Sequence, residues 1–275
     1  MFERICVYSA PYSDVKLYGE LPSVAKEFGL SAIEGFARFE FSRPDLSEAL
    51  KVRRIYDEAG ISVPCFSVFS DVSKTGYKQL LTELMGYTDV AKALGSPFIH
   101  HTIVGEVRNP DSVLPYRKEL FETGLNLVRE VYDYAESIGI KAIYEPQGYI
   151  FNGIEGFGEF LDKVNRNVGV VADLGNIYQA GGTALEFVKN FGDRISHVHI
   201  KDVCVVPDPE RGIKTLTGGY MCAVQCGEGE AEVADCIRLI EDSGYKGYYA
   251  IEQVAFDDNP DSYRSVVNLI NEVIS

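Results

Sequence analysis

One junction, repeated along the chain, most constrains what this sequence can fold into. It reads "EFGLSAIE", "EAGISVP", "ALGSPFI", "SIGIKAI" and "DSGYKGYYAIE". In each case an amphipathic stretch ends in glycine and a short apolar run follows at once. Glycine there accepts the left-handed conformation that stops a helix. A brief β-branched run bounded in this way reads as a buried strand. Helix, stop and strand in regular succession imply a parallel sheet joined by right-handed crossovers.

The strand candidates are 3–8, 31–35, 62–68, 97–102, 140–145, 168–173, 194–200 and 247–252. Helical periodicity fills 45–59, 77–94, 114–138, 229–242 and 261–274. Eight strand–helix units in 275 residues predict a single-domain (β/α)8 TIM barrel over 1–275. A doubly wound open sheet is the competing architecture. It would bring a glycine-rich phosphate loop after an early strand, where this chain reads SAPYSD.

A net charge of −15, with no run of lysine or arginine to offset it, argues against a nucleic-acid partner. No apolar run approaches the roughly 20 residues of a spanning helix, so no membrane role is expected. The opening MFERICVYSAPYS has no apolar signal region, and the six cysteines are scattered. Cys222 and Cys226 form only a C-x3-C pair. Reduced thiols in a cytoplasmic protein are the expectation.

In a barrel of this kind the reactive side chains stand at the carboxyl ends of the strands. The fifth strand ends in Glu145, the sixth in Asp173 and the eighth in Glu252, each after a run too apolar for a surface segment. The seventh, "SHVHIKD", carries His197 and His199 on one face, with His199 at the end. Three acids converging in one mouth repel unless a cation neutralises them. Oxygen donors with one imidazole suit a single divalent ion: Mn²⁺, Mg²⁺, Co²⁺ or Zn²⁺. His197 lies about 6–7 Å deeper, as a supporting or core residue. His100 and His101 are adjacent and must face opposite ways. His101, nearer the strand's end, is expected to face the barrel.

"IYEPQG" (143–148), "VVADLGN" (170–176), "HVHIKD" (197–202), "GEGE" (227–230) and "GYKGYYAIE" (244–252) stand in this order. Together they resemble the sugar phosphate isomerase/epimerase superfamily of xylose isomerase-like TIM barrels, over nearly the whole chain. The resemblance implies one divalent metal held by Glu145, Asp173, His199 and Glu252. It also implies that Glu145 and Glu252 are the catalytic acid/base pair of a metal-dependent isomerase or epimerase. One removes a proton next to a carbonyl, the other returns it, and the metal stabilises the enediolate. The substrate would be a small sugar, a sugar phosphate or a cyclic polyol ketone. A homo-oligomer, dimer or tetramer, is also implied.

Two positions depart from the epimerase pattern. Asn176 stands where those enzymes have histidine in Asp-x-x-His, and Gln147 where asparagine or histidine is frequent. Both read as neutral substrate contacts. Lys201 shares the parity of His199 and either meets a substrate oxygen or pairs with Asp202 or a neighbour. Glu34, ending the second strand, either contacts substrate or caps the next segment. The stretch 203–228 is long for a loop and is expected to cover the substrate, with Arg211 and Lys214 as solvated charges or anion contacts.

The same metal set serves dehydratases of inosose or 3-dehydroshikimate, which expel a hydroxyl where an isomerase reprotonates. A three-zinc abasic-site endonuclease would need more than the four histidines present. A non-catalytic binding barrel is the remaining alternative.

Overall fold

In the computed structural model, residues 3–12, 18–38, 41–252 and 260–275 are described. Eight parallel strands close into a barrel: β1 (Ile5–Tyr8), β2 (Ile33–Phe36), β3 (Phe66–Val68), β4 (Phe98–His101), β5 (Lys141–Tyr144), β6 (Gly169–Asp173), β7 (Ile195–Ile200) and β11 (Tyr249–Ile251). The ring runs β1-β11-β7-β6-β5-β4-β3-β2, so neighbours in sequence are neighbours in space. This is the expected (β/α)8 barrel; the open sheet is excluded.

The helices are α1 (Leu21–Glu27), α2 (Leu46–Ala59), α3 (Tyr77–Ala93), α4 (Arg117–Ser137), α5 (Ile154–Lys163), α6 (Ala184–Phe191), α7 (Val233–Asp242) and α8 (Pro260–Ile274). The junction glycines behave as the sequence implies: Gly29, Gly60, Gly95, Gly139 and Gly244 all have positive φ, from 70° to 86°. Helix starts are also written locally. Asp45 accepts from the Ser47 and Glu48 amides to begin α2, and Thr183 with Glu186 forms a capping box on α6.

The main core lies between the barrel wall and the helices. Phe157, Phe160 and Phe187 are among its largest fully buried side chains. Inside the barrel the layers are thin: Cys65, Ile143 and Val171 pack in one small cluster and Cys6, Ala32 and Ala250 in another. Small apolar side chains therefore pack inside the barrel beside the polar residues.

The stretch 203–228 is not the irregular loop expected. It builds a three-stranded antiparallel sheet with β8 (Asp202–Val206), β10 (Tyr220–Val224) and β9 (Ile213–Lys214) in the order β8-β10-β9. Short strands broken by glycines gave no clear two-residue periodicity. Its seating is specific: the Leu216 amide donates to the Gln179 carbonyl, and the Tyr149 hydroxyl lies 2.9 Å from the Lys214 carbonyl. Among the described residues, no helix is long and apolar enough to cross a membrane.

Candidate active site

Strand register decides which side chains enter the barrel. Asp173 pairs with His199, and His199 with Ala250; Ser67 pairs with His100, and His100 with Ile143; Tyr8 pairs with Glu34. Side chains level with one another share a face. Tyr8, Glu34, Ser67, His100, Glu145, Asp173, His199 and Glu252 thus gather at the carboxyl ends of the strands.

His199 is the hub. Its Nδ1 lies 3.2 Å from Glu145 Oε2, 3.1 Å from Glu252 Oε2 and 3.8 Å from Asp173 Oδ2. Its Nε2 points the other way, 3.1 Å from Glu34 Oε1. One donor atom from each of Glu145, Asp173, His199 and Glu252 falls within 4.8 Å of the others.

Glu34 is fully buried, and both its oxygens are occupied. Ser67 donates to Oε1 at 2.5 Å, and His197 Nε2 lies 2.7 Å from Oε2. Of the roles expected for Glu34, substrate contact and cap, neither is the one its bonds display. It is a carboxylate beneath the mouth that orients two histidines. Burial favours its neutral form, but the charges of His199 and His197 win and hold its pKa well below the carboxylate range.

Lys201 Nζ meets Asp173 Oδ2 at 2.9 Å, Asn176 Oδ1 at 3.1 Å and Glu252 Oε1 at 3.2 Å. Three acceptors fill the donor capacity of an ammonium. Lys201 is therefore a buried counter-charge within the acid cluster, and a substrate oxygen would have to displace one of these partners. Asp202 is not its partner. It turns away to accept the amides of Val203, Gly227, Gly229 and Ala231. The "GEGE" motif is thereby pinned to the strand-end residue beside the mouth.

His101 does not enter the barrel, contrary to expectation. Its Nε2 lies 2.9 Å from the Tyr144 hydroxyl and its Nδ1 2.8 Å from the Thr102 carbonyl. Tyr144 in turn packs edge-on against Phe160 of α5, outside the barrel wall. His100 is the inward one. Nearness to the strand end was the wrong criterion, because register with β3 and β5 sets the parity.

The tautomer of His100 follows from its neighbours. Ser67 has one hydroxyl hydrogen and gives it to Glu34, so it accepts from His100 Nδ1–H at 3.0 Å. His100 Nε2 then carries a bare lone pair. It is buried without a hydrogen-bond partner, 3.7 Å from Glu145 Oε1. Burial and the nearby His199 keep this ring neutral. His100, Ser67 and Tyr8, whose ring centroid lies 5.2 Å from that of His199, were missed from sequence. Tyr8 had a legible signal, since it ends the first strand at the parity of Cys6.

Four carboxyl groups crowd around one ammonium and one imidazole. Glu34, Glu145, Asp173 and Glu252 face Lys201, with His199 among them. Burial, with repulsion from Asp173 and Glu252, raises Glu145 to about 8 despite its bond to His199. Asp173 is held far below the carboxylate range, because Lys201 and His199 outweigh its burial. Glu252 Oε2 is buried without a hydrogen bond, although it lies beside His199 Nδ1. An orphaned carboxylate oxygen, crowded carboxyl groups and an imidazole aimed at three acids fit a divalent cation. The deeper groups Cys6/Glu34/His197 and Glu34/His100/His199 share Glu34, whose oxygens are already bonded.

Gln147 Oε1 is likewise buried without a partner. Asn176 accepts from Lys201 through its side-chain Oδ1, and its backbone N–H donates to Asp173 Oδ1.

Residues 22–273 match the family model described as xylose isomerase-like TIM barrel. An inosose dehydratase of Clostridium perfringens is 24% identical over 254 residues, covering 85% of each chain. An inosose isomerase of Halalkalibacterium halodurans is 23% identical over 245 residues, covering 88% of this chain and 77% of that one. A xylose isomerase domain protein from Planctomyces limnophilus superposes with a TM-score of 0.76 at 20% identity, over 99% and 98% of the two chains. A xylose isomerase-like barrel from Mycobacterium smegmatis, in complex with magnesium, gives 0.73 at 16% identity over 99% and 98%. An IOLI protein with a zinc atom gives 0.71 at 19% over 98% and 96%.

Proposed function

Since the chain belongs to the xylose isomerase-like TIM barrel family, we propose that it is a divalent-metal-dependent isomerase or epimerase. Its substrate is a sugar, a sugar phosphate or a cyclic polyol ketone, and it moves a proton next to the carbonyl. The observation that carries this reading is the placing of Glu145 and Glu252. They follow β5 and β11, which are separated in the ring by β6 and β7, so they flank Asp173 and His199 from opposite sides. A compound lying over His199 has a carboxylate on either hand.

Glu145, Asp173, His199 and Glu252 would hold the ion. Manganese, magnesium, cobalt and zinc all suit this donor set, and solved relatives contain magnesium or zinc. When bound, a divalent ion supplies positive charge to the carbonyl oxygen as the adjacent carbon is deprotonated.

The chain's own groups do the rest. One of Glu145 and Glu252 takes the proton and the other returns one from the far side. His100 Nε2 and Gln147 Oε1, acceptors without partners, receive substrate hydroxyls, and Asn176 offers a neutral contact. The β8-β10-β9 sheet, tied to the segments after β5 and β6, would cover a bound substrate.

A second reading, a dehydratase, is favoured by the inosose dehydratases among its relatives. It shares the first proton removal and differs in expelling a hydroxyl. Incubating metal-loaded protein with ketoses and inososes in deuterated water separates the two. Carbon-bound deuterium without loss of water supports the isomerase, and an absorbing enone supports the dehydratase. Absence of both across the panel defeats the shared proton-transfer step.

A further inference from the structure

The cover sheet carries a pair of groups that this chemistry does not use. Cys204 in β8 and Cys222 in β10 stand directly opposite each other in the antiparallel ladder. Their Sγ atoms are 3.0 Å apart, only about 1 Å beyond disulfide bonding distance. The backbone ladder holds the two residues opposite each other.

The other thiols are differently placed. Cys6 and Cys65 are sealed in the barrel, Cys236 Sγ lies 3.3 Å from the Ala231 carbonyl, and Cys226 is buried. Cys204 alone is partly exposed. The C-x3-C spacing of Cys222 and Cys226 was therefore no guide, because Cys222 pairs across the strand.

The sheet's attachments give the pair its meaning. β8 begins immediately after Lys201, the counter-charge of the acid cluster. The far end docks through Leu216 and Lys214 onto the segments after β6 and β5. A bond between β8 and β10 would tie the strand leaving the site to its antiparallel partner.

We propose that Cys204 and Cys222 are a reversible disulfide site that staples this cover, formed by exchange with a low-molecular-weight disulfide. The Cys204 thiolate attacks one sulfur of the small disulfide, forming a mixed disulfide and releasing one thiolate. The Cys222 thiolate then attacks Cys204 Sγ and releases the second. The protein loses two electrons and two protons, and the small disulfide becomes two thiols. Its bond to Cys222 and partial burial raise Cys204 to about 11, so exchange is slow at neutral pH and quickens as pH rises. The staple does not depend on which substrate the barrel takes.

The test exposes the full-length chain at about pH 8.5 to graded mixtures of oxidised and reduced glutathione. It is then alkylated, digested and analysed by mass spectrometry. The expected result is joint loss of two alkylation sites and a cross-linked 204–222 peptide lighter by two hydrogens, reversed by a reductant. Cys222→Ser should stop at a glutathione adduct on Cys204. Amide hydrogen exchange should slow across 203–224 in the oxidised form. Both thiols staying fully alkylatable in the most oxidising mixture would overturn the proposal, as would a cross-link from Cys222 to Cys226.

Discussion

Glu34 holds His199 from beneath: its Oε1 lies 3.1 Å from His199 Nε2, which turns Nδ1 toward Glu145, Asp173 and Glu252. A carboxylate behind a ligating imidazole fixes its tautomer and raises its basicity. Glu34→Gln can accept at only one atom, so His197 and His199 cannot both be satisfied. Divalent-ion affinity, measured by calorimetric titration, should fall about 10–100-fold. Stability should also drop by about 1–3 kcal/mol for the buried group left unpaired.

Lys201 is the protein's own neutraliser of Asp173 and Glu252. Lys201→Met leaves those carboxylates buried and uncompensated. Without metal, denaturant melts should show a loss of about 3–5 kcal/mol. Adding a divalent ion should raise the melting temperature more in the variant than in the parent, because the ion then supplies the missing charge.

His100 Nε2 is an acceptor awaiting a donor. Once a substrate is identified, His100→Phe should lower kcat/KM by about 10–100-fold, the worth of a hydrogen bond to a buried polar group. Metal content should stay unchanged. A substrate analogue lacking the relevant hydroxyl should show little difference between variant and parent.

His101 supplies a pH dependence that does not involve the site. Burial lowers it to about 4, against the bond to the Thr102 carbonyl, whereas an unfolded histidine titrates near 6.5. Between these values the unfolded chain binds more protons, so stability falls as pH falls. The contribution is fully present above about 6.5 and is lost by about 4, amounting to about 3 kcal/mol. The difference between parent and His101→Phe in urea melts across that range should show this slope, with the variant less stable at neutral pH.

Some of these relationships are local in the chain and others are not. The junction glycines and the acid-terminated apolar runs are local signals, so the barrel and the convergence of Glu145, Asp173, His199 and Glu252 were legible. The choice between His100 and His101 was not, because it depends on hydrogen-bond register across β3, β4 and β5. The role of Glu34 was hidden for the same reason: its partner His197 lies 163 positions away. Lys201 had the right parity, but its partner could not be read from its neighbour Asp202. The sheet over the mouth was obscured by strands as short as Ile213–Lys214.

Glu145, Asp173, His199 and Glu252 are proposed to hold one divalent ion between them. Elemental analysis of the purified protein, beside the Glu145→Gln/Asp173→Asn double variant, tests it most directly. About one divalent ion per parent chain and none in the variant is the expected result, as three carboxylates and an imidazole form a single site. A parent chain that stays metal-free after titration with Mn²⁺, Co²⁺ and Zn²⁺, or a variant that binds as the parent does, would contradict it.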